Sequence, residues 1–214
     1  MLKLAFNSLS ICLIVLLLTC CDNAKDAAFI EQGTKDSVQT KTDSIKNIPK
    51  DITQFNDKQG VVGIFNVPEM LTISKIDSAP MKDISFKMAK SYSVLQEQLT
   101  ALDVKIDGSY GCIYYNNDAN NFVFECIVPI NKMPKKEPKN CKIVVLEADK
   151  MLIYNFYGPY QNLFASYDLI RKHLAKNKLE QVGPMREFYI TDPTLEKDPL
   201  KWLTRIMVPI KEIK

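Results

Sequence analysis

Apolar and polar side chains alternate most clearly near the C-terminus. From Met185 to Thr191 the alternation sets Met185, Glu187 and Tyr189 on one face and Arg186, Phe188 and Ile190 on the other, which is the period of a half-buried strand. A second alternating run puts Trp202, Thr204, Ile206 and Val208 on one side and Leu203, Arg205, Met207 and Pro209 on the other. Between them, Asp192-Pro193 and Asp198-Pro199 break any regular element, because proline withholds a ladder donor and restricts the residue before it. The pattern predicts a hairpin with a long loop. Further upstream the period changes. Ile84, Met88, Tyr92, Leu95, Leu99 and Leu102 recur every three or four residues, predicting a helix from about Asp83 to Leu102 with one stripe for a sheet. A second helix is predicted from about Gln161 to Asn177, with Phe164, Tyr167, Ile170 and Leu174 on one face. Strands are predicted at Met70 to Ile76, Gly108 to Tyr115, Phe122 to Ile130, Cys141 to Glu147 and Met151 to Phe156.

The order of elements repeats, and so do some letters. Cys126-Ile127-Val128-Pro129-Ile130 corresponds to Ile206-Met207-Val208-Pro209-Ile210, and Gly108 with Tyr114 to Gly183 with Tyr189. Two equivalent halves, about 61–131 and 141–211, follow. The expected fold class is α+β: two pseudo-symmetric modules of antiparallel strands with one main helix each, helices on one side and a ligand groove between the modules.

The N-terminus changes the picture. Lys3 precedes an apolar run through Ile11, Leu13, Ile14, Val15, Leu16, Leu17 and Leu18 that ends at Cys20 and Cys21. It is shorter than the roughly 20 residues of a membrane span and has the layout of a secretory signal. Leu17-Leu18-Thr19 before cysteine resembles a bacterial lipoprotein signal over residues 1–19, with palmitate-type lipid attachment at Cys20, or at Cys21. An ordinary signal peptide or an uncleaved anchor is the alternative. Residues 20–60 are rich in Asp, Lys, Ser, Thr, Gln and Asn, and are expected to form a tether, with a short helix near Ile45 to Phe55 as an option. The folded domain is expected over residues 61–214, outside the cytoplasm and held at a membrane surface.

A net charge of +3 over 214 residues, with no basic stripe, argues against nucleic acid as a partner. The single histidine, His173, sits among Arg171, Lys172 and Lys176 on a solvent-facing helix side, so neither a multi-histidine metal site nor a Ser-His-Asp triad is expected. There is no phosphate loop, and seven glycines are too few for a dinucleotide fingerprint to be expected, so no cofactor is called for. Cys112 and Cys126 are expected on opposite faces, as buried thiols without a bridge.

Tyr157-Gly158-Pro159-Tyr160, Gly183-Pro184, Glu187-Phe188-Tyr189-Ile190, Asp192-Pro193 and the closing Val208-Pro209-Ile210 give residues 61–211 a resemblance to the GyrI-like family. These are small-molecule effector-binding domains found on bacterial transcription activators and as free proteins. The resemblance implies paired α+β modules whose sheets form a groove for an amphipathic ligand, with acidic residues that meet cationic aromatic compounds in several members. Glu187 stands at one such acidic position. The other, three residues before the valine of Val-Pro-Ile, is Arg205 here, a departure from the pattern. Some relatives hydrolyse reactive electrophiles with a glutamate that activates water.

A tight turn at Asp118-Ala119 would set Cys112 across from Glu125, Tyr110 near Ile127 and Tyr114 near Val123. Carried through the repeat, it would set Glu187 across from Arg205 as an ion pair, leaving Glu125 as the groove's unpaired acid or, on an exposed face, as a solvated one. The expected ligand-binding residues are Tyr110, Tyr114, Glu125, Met185, Glu187, Tyr189 and Arg205. Core packing accounts for the aromatic ones equally, and a structural salt bridge for the charged ones. The Tyr157 to Tyr160 turn is read as structural first and as groove rim second. The leading functional expectation is non-catalytic binding of a small amphipathic or aromatic molecule, as sensor, carrier or sequestering protein. Hydrolysis of a small electrophile in the same groove and an envelope protein-interaction module are the alternatives.

Overall fold

The computed structural model describes residues 58–213 together with Lys46–Asn47. The signal-like segment, Cys20, Cys21 and most of the tether lie outside the described residues. Lys46–Asn47 forms a short strand, β1, parallel to Phe65 and Asn66, where the sequence allowed a helix.

Among the described residues, ten strands and two helices follow the expected α+β plan. The strands are β1, β2 (Gly60–Val67), β3 (Met70–Ala79), β4 (Gly111–Tyr114), β5 (Phe122–Pro129), β6 (Lys142–Leu146), β7 (Asp149–Tyr157), β8 (Leu179–Gln181), β9 (Met185–Tyr189) and β10 (Leu203–Glu212). The helices are α1 (Ile84–Ala101) and α2 (Leu163–Lys176), each led in by a short 3-10 turn after a proline. The sheet order is β1-β2-β7-β10-β9-β4-β5-β3-β6, with β8 alongside β10. Every pairing except β1 with β2 is antiparallel.

The connections dictate the sheet's shape. β2 and β3 are joined by only Pro68 and Glu69, yet β2 pairs with β7 near one end of the order and β3 with β6 at the other. Glu147 and Ala148 make the equivalent short link from β6 to β7. Two residues span no more than about 10 Å, so the sheet must curl until its ends meet. Its inner face carries one core, in which Val67 and Leu146 from the ends join Ile113, Ile127, Met151, Ile153, Phe188 and Met207. The outer face carries two more. Met88, Tyr92, Leu95 and Leu99 of α1 pack on Ile73, Phe124, Cys126 and Val128. Leu163, Ile170 and Leu174 of α2 pack on Leu152, Tyr154, Phe156, Ile206 and Val208. The two helices therefore share one side of the sheet and flank its central strands, β9 and β4. Phe164, expected in the α2 stripe, is 57% exposed instead.

The central register differs from the expectation by one residue. Cys112 lies across from Cys126, and Tyr114 across from Phe124. The loop between β4 and β5 is not the tight turn assumed: Tyr115 still pairs with Val123, and the Asn116 side chain closes the loop on Val123 N and Asn121 O. Because strand faces alternate residue by residue, a slip of one exchanges the faces. Cys112 and Cys126 thus share a face, both buried and unbridged, rather than occupying opposite ones. Glu125 leaves that face.

The modules meet where β4 pairs with β9, Cys112 opposite Glu187 and Gly111 opposite Phe188. A Cβ on Gly111 would stand 2.6 Å from the Glu187 carbonyl oxygen and 2.9 Å from the Phe188 ring, so the approach of the two backbones requires glycine. Gly111→Ala is expected to lower stability by about 1–3 kcal/mol, read as an earlier urea midpoint; an unchanged midpoint would show that the seam tolerates a methyl group.

Candidate functional site

A single row of cross-strand neighbours runs over the outer face: Tyr154, Ile206, Glu187, Cys112 and Cys126. Glu187 is at its centre, between the helices. The groove above it, floored by β4 and β9 and walled by α1 and α2, has a cavity volume of about 1560 Å³. Tyr110, Tyr114, Met185, Glu187 and Tyr189 all line it, brought together by strand parity.

Glu187 is 1% exposed, and its partners are phenols. Tyr167 of α2 donates to Oε1, Tyr189 donates to Oε2 over 3.3 Å, and the Tyr114 and Tyr189 hydroxyls lie 3.2 Å apart. No Lys, Arg or His pairs with it among the described residues. Burial disfavours its charged form and pushes the carboxyl up to about 7, while hydrogen bonds from Tyr167, Tyr114 and Tyr189 favour that form and limit the rise. The phenols respond in the same sense. Burial and the nearby carboxylate raise Tyr167, Tyr114 and Tyr189 above the ordinary tyrosine range, so they remain donors. The result is an acid that ionises near neutrality in an aromatic pocket.

The walls are aromatic beyond this cage. Tyr160 packs edge-on against Tyr189, centroids 5.5 Å apart, and tilts against Trp202 at 5.2 Å. Phe122 packs edge-on against Tyr114 at 5.6 Å. Tyr110 turns its hydroxyl to Gln96 of α1, 2.6 Å away, and presents its ring to Tyr92. Spacing alone assigns Tyr167 to helix packing. The signal that would have found it is chemical: a phenol on a sheet-facing stripe requires a polar partner.

Two expected site residues lie elsewhere. Arg205 pairs across β10 with Phe188 and Asn155, on the inner face, and its Nε donates to Asn155 Oδ1 at 2.9 Å. The cross-strand neighbours of Glu187 are Ile206 and Cys112, so the expected Glu187–Arg205 ion pair does not form. Glu125 is also on the inner side, 3% exposed, and accepts from Ser74 Oγ at 2.6 Å and from the Tyr115 hydroxyl, with Lys142 Nζ 3.4 Å away. Neither lines the groove, and both leave the set of groove residues.

A carboxyl with a raised folded-state pKa supports the fold while protonated. That contribution is whole below the unfolded value of about 4.5 and is lost as pH rises through about 7. Between pH 5 and pH 8 the protein should therefore lose about 2–3 kcal/mol relative to Glu187→Gln, measured by urea unfolding of the two side by side. A pH-independent difference would contradict this placement of Glu187.

No curated protein matches the chain. Solved structures do. The crystal structure of the EcmrR C-terminal domain superposes with a TM-score of 0.64 at 21% identity, over 70% of this chain and 96% of that one. EcmrR in a DNA complex superposes with a TM-score of 0.63 at 21% identity, over 70% of this chain and 57% of that one, so the likeness covers part of that protein. A protein from Listeria innocua described as a hydrolase superposes with a TM-score of 0.53 at 14% identity, over 74% and 95% of the two chains. At these identities the likeness is one of fold. The family model for the GyrI-like small molecule binding domain matches residues 37–211, and the chain belongs to that family.

Proposed function

We propose that this protein binds a small amphipathic, aromatic cation in the groove between its helices, without turning it over, while anchored to a membrane by an N-terminal lipid on Cys20. One observation carries the ligand reading: Glu187 is a buried acid with no cationic partner among the described residues, in a pocket of aromatic rings. A lipophilic cation would supply the missing charge at Glu187 and gain cation–π and apolar contact from the walls. The departure at Arg205 does not weaken this reading, because Arg205 belongs to the other face. The membrane reading rests on the apolar run that ends at Cys20, and the outward location follows from it. Sensing, carriage and sequestration all fit such a site. The groove is open rather than filled by side chains, which favours a small ligand over a protein-interaction module.

The second reading is hydrolysis of a small electrophile. An arginine beside Glu187 would have lowered its basicity; with Arg205 absent from the groove, a carboxyl near 7 suits a general base that draws a proton from water. The relative described as a hydrolase has the same fold.

A quaternary arylammonium ion should bind about tenfold more tightly at pH 8 than at pH 6, as Glu187 ionises through about 7. Its neutral carbon isostere should bind weakly, and Glu187→Gln should remove the pH dependence. Calorimetric titration checks this; equal affinity for cation and isostere would overturn it. Incubation with reactive esters and epoxides tests the second reading, which fails if product never exceeds the spontaneous rate or if Glu187→Gln retains full turnover.

A further inference from the structure

We propose that the groove takes a ligand carrying two separated positive charges, a diamine or bis-quaternary amphiphile, with one charge at Glu187 and the other at Asp192. The inference rests on the cation reading above and specifies its ligand. Among the described residues three acids line the groove: Glu187, Asp168 and Asp192. Asp168 is held by Arg171, one turn further along α2. Asp192 is not held in this way. Its Oδ1 accepts from the backbone N and hydroxyl of Thr194, both at 2.7 Å, and no Lys or Arg pairs with it among the described residues. Two acids thus remain for cations, one at the buried floor and one at the exposed end.

Their separation suits one extended molecule. Asp192 is five residues beyond Glu187, so their Cα atoms are at most about 17 Å apart. Tyr189, Tyr160 and Trp202 form a continuous aromatic run in the lining of the groove, with Tyr160 in contact with both of the others. Tyr160 registers both charges: burial first, then Asp192 and Glu187, push its hydroxyl up to about 12. An apolar spacer would lie on this run. The cavity, at about 1560 Å³, is also larger than the roughly 300–1,000 Å³ that commonly holds one drug-sized molecule.

The test is calorimetric titration of the full chain with bis(trimethylammonium)alkanes of increasing spacer length and with singly charged alkyltrimethylammonium ions of matched length. At the best spacer length the doubly charged ion should bind about tenfold more tightly than its singly charged match, an advantage that shrinks with added salt because Asp192 is exposed. Asp192→Asn keeps an oxygen for Thr194, so the turn survives; it should abolish the advantage and leave singly charged ions unaffected. Glu187→Gln should weaken both series. Parity in the unmodified protein, or an advantage that persists in Asp192→Asn, overturns the proposal while the cation reading stands. If neither series binds, both fall.

Discussion

The pairing of β4 with β9 is the constraint on which the site depends. It joins the two modules through backbone hydrogen bonds, it requires a glycine at position 111, and its register decides which side chains face the helices. With Cys112 opposite Glu187, the row that includes Glu187 lies outward between α1 and α2, and the adjacent row, Asn155, Arg205, Phe188, Gly111 and Ile127, faces the inner core. Glu187 and Arg205, one register step apart across β9 and β10, are thereby kept on opposite sides of one sheet. The curl imposed by the two-residue links closes the inner face around its own core, leaving the outer groove as the place where a large ligand can enter.

Placing a carboxyl at the centre of that groove has an energetic cost, because the charged form loses water and gains only phenolic hydrogen bonds. Those bonds favour the charged form and offset part of that cost. Three tyrosines from β4, β9 and α2 surround the carboxyl, so the helix that walls the groove is tied to its floor through Glu187. The presence of this carboxyl in the middle of the pocket is the physical reason for reading the groove as a recognition site and not as packing alone.

Much of this was legible from residue patterns. Both helices follow from their three-to-four-residue stripes, and the shared face of Met185, Glu187 and Tyr189, and that of Tyr110 and Tyr114, follows from parity within a strand. What parity cannot give is register between strands. That depended on the loop after β4, where the Asn116 side chain adds closure that no hydrophobic pattern records. One residue of error put Glu125 and Arg205 in the groove and Cys126 out of the row of Cys112. The strands at Gly60–Val67 and Leu179–Gln181 carry little alternation of their own: the first is interrupted by a bulge between Val61 and Gly63, and the second has three residues of which only Leu179 is buried. Tyr167 was overlooked for a different reason: its spacing marks packing, and only its hydroxyl marks the site.

Glu187 titrates near neutrality because it is buried among phenols, with no cationic partner among the described residues. The direct measurement is a carbon-13 NMR titration of the side-chain carboxyl carbons, with Glu187→Gln used to assign the resonance. A midpoint near 7 is expected. A midpoint at or below the ordinary glutamate value would require water or a positive charge beside Glu187, and would rule out a carboxyl buried among phenols alone.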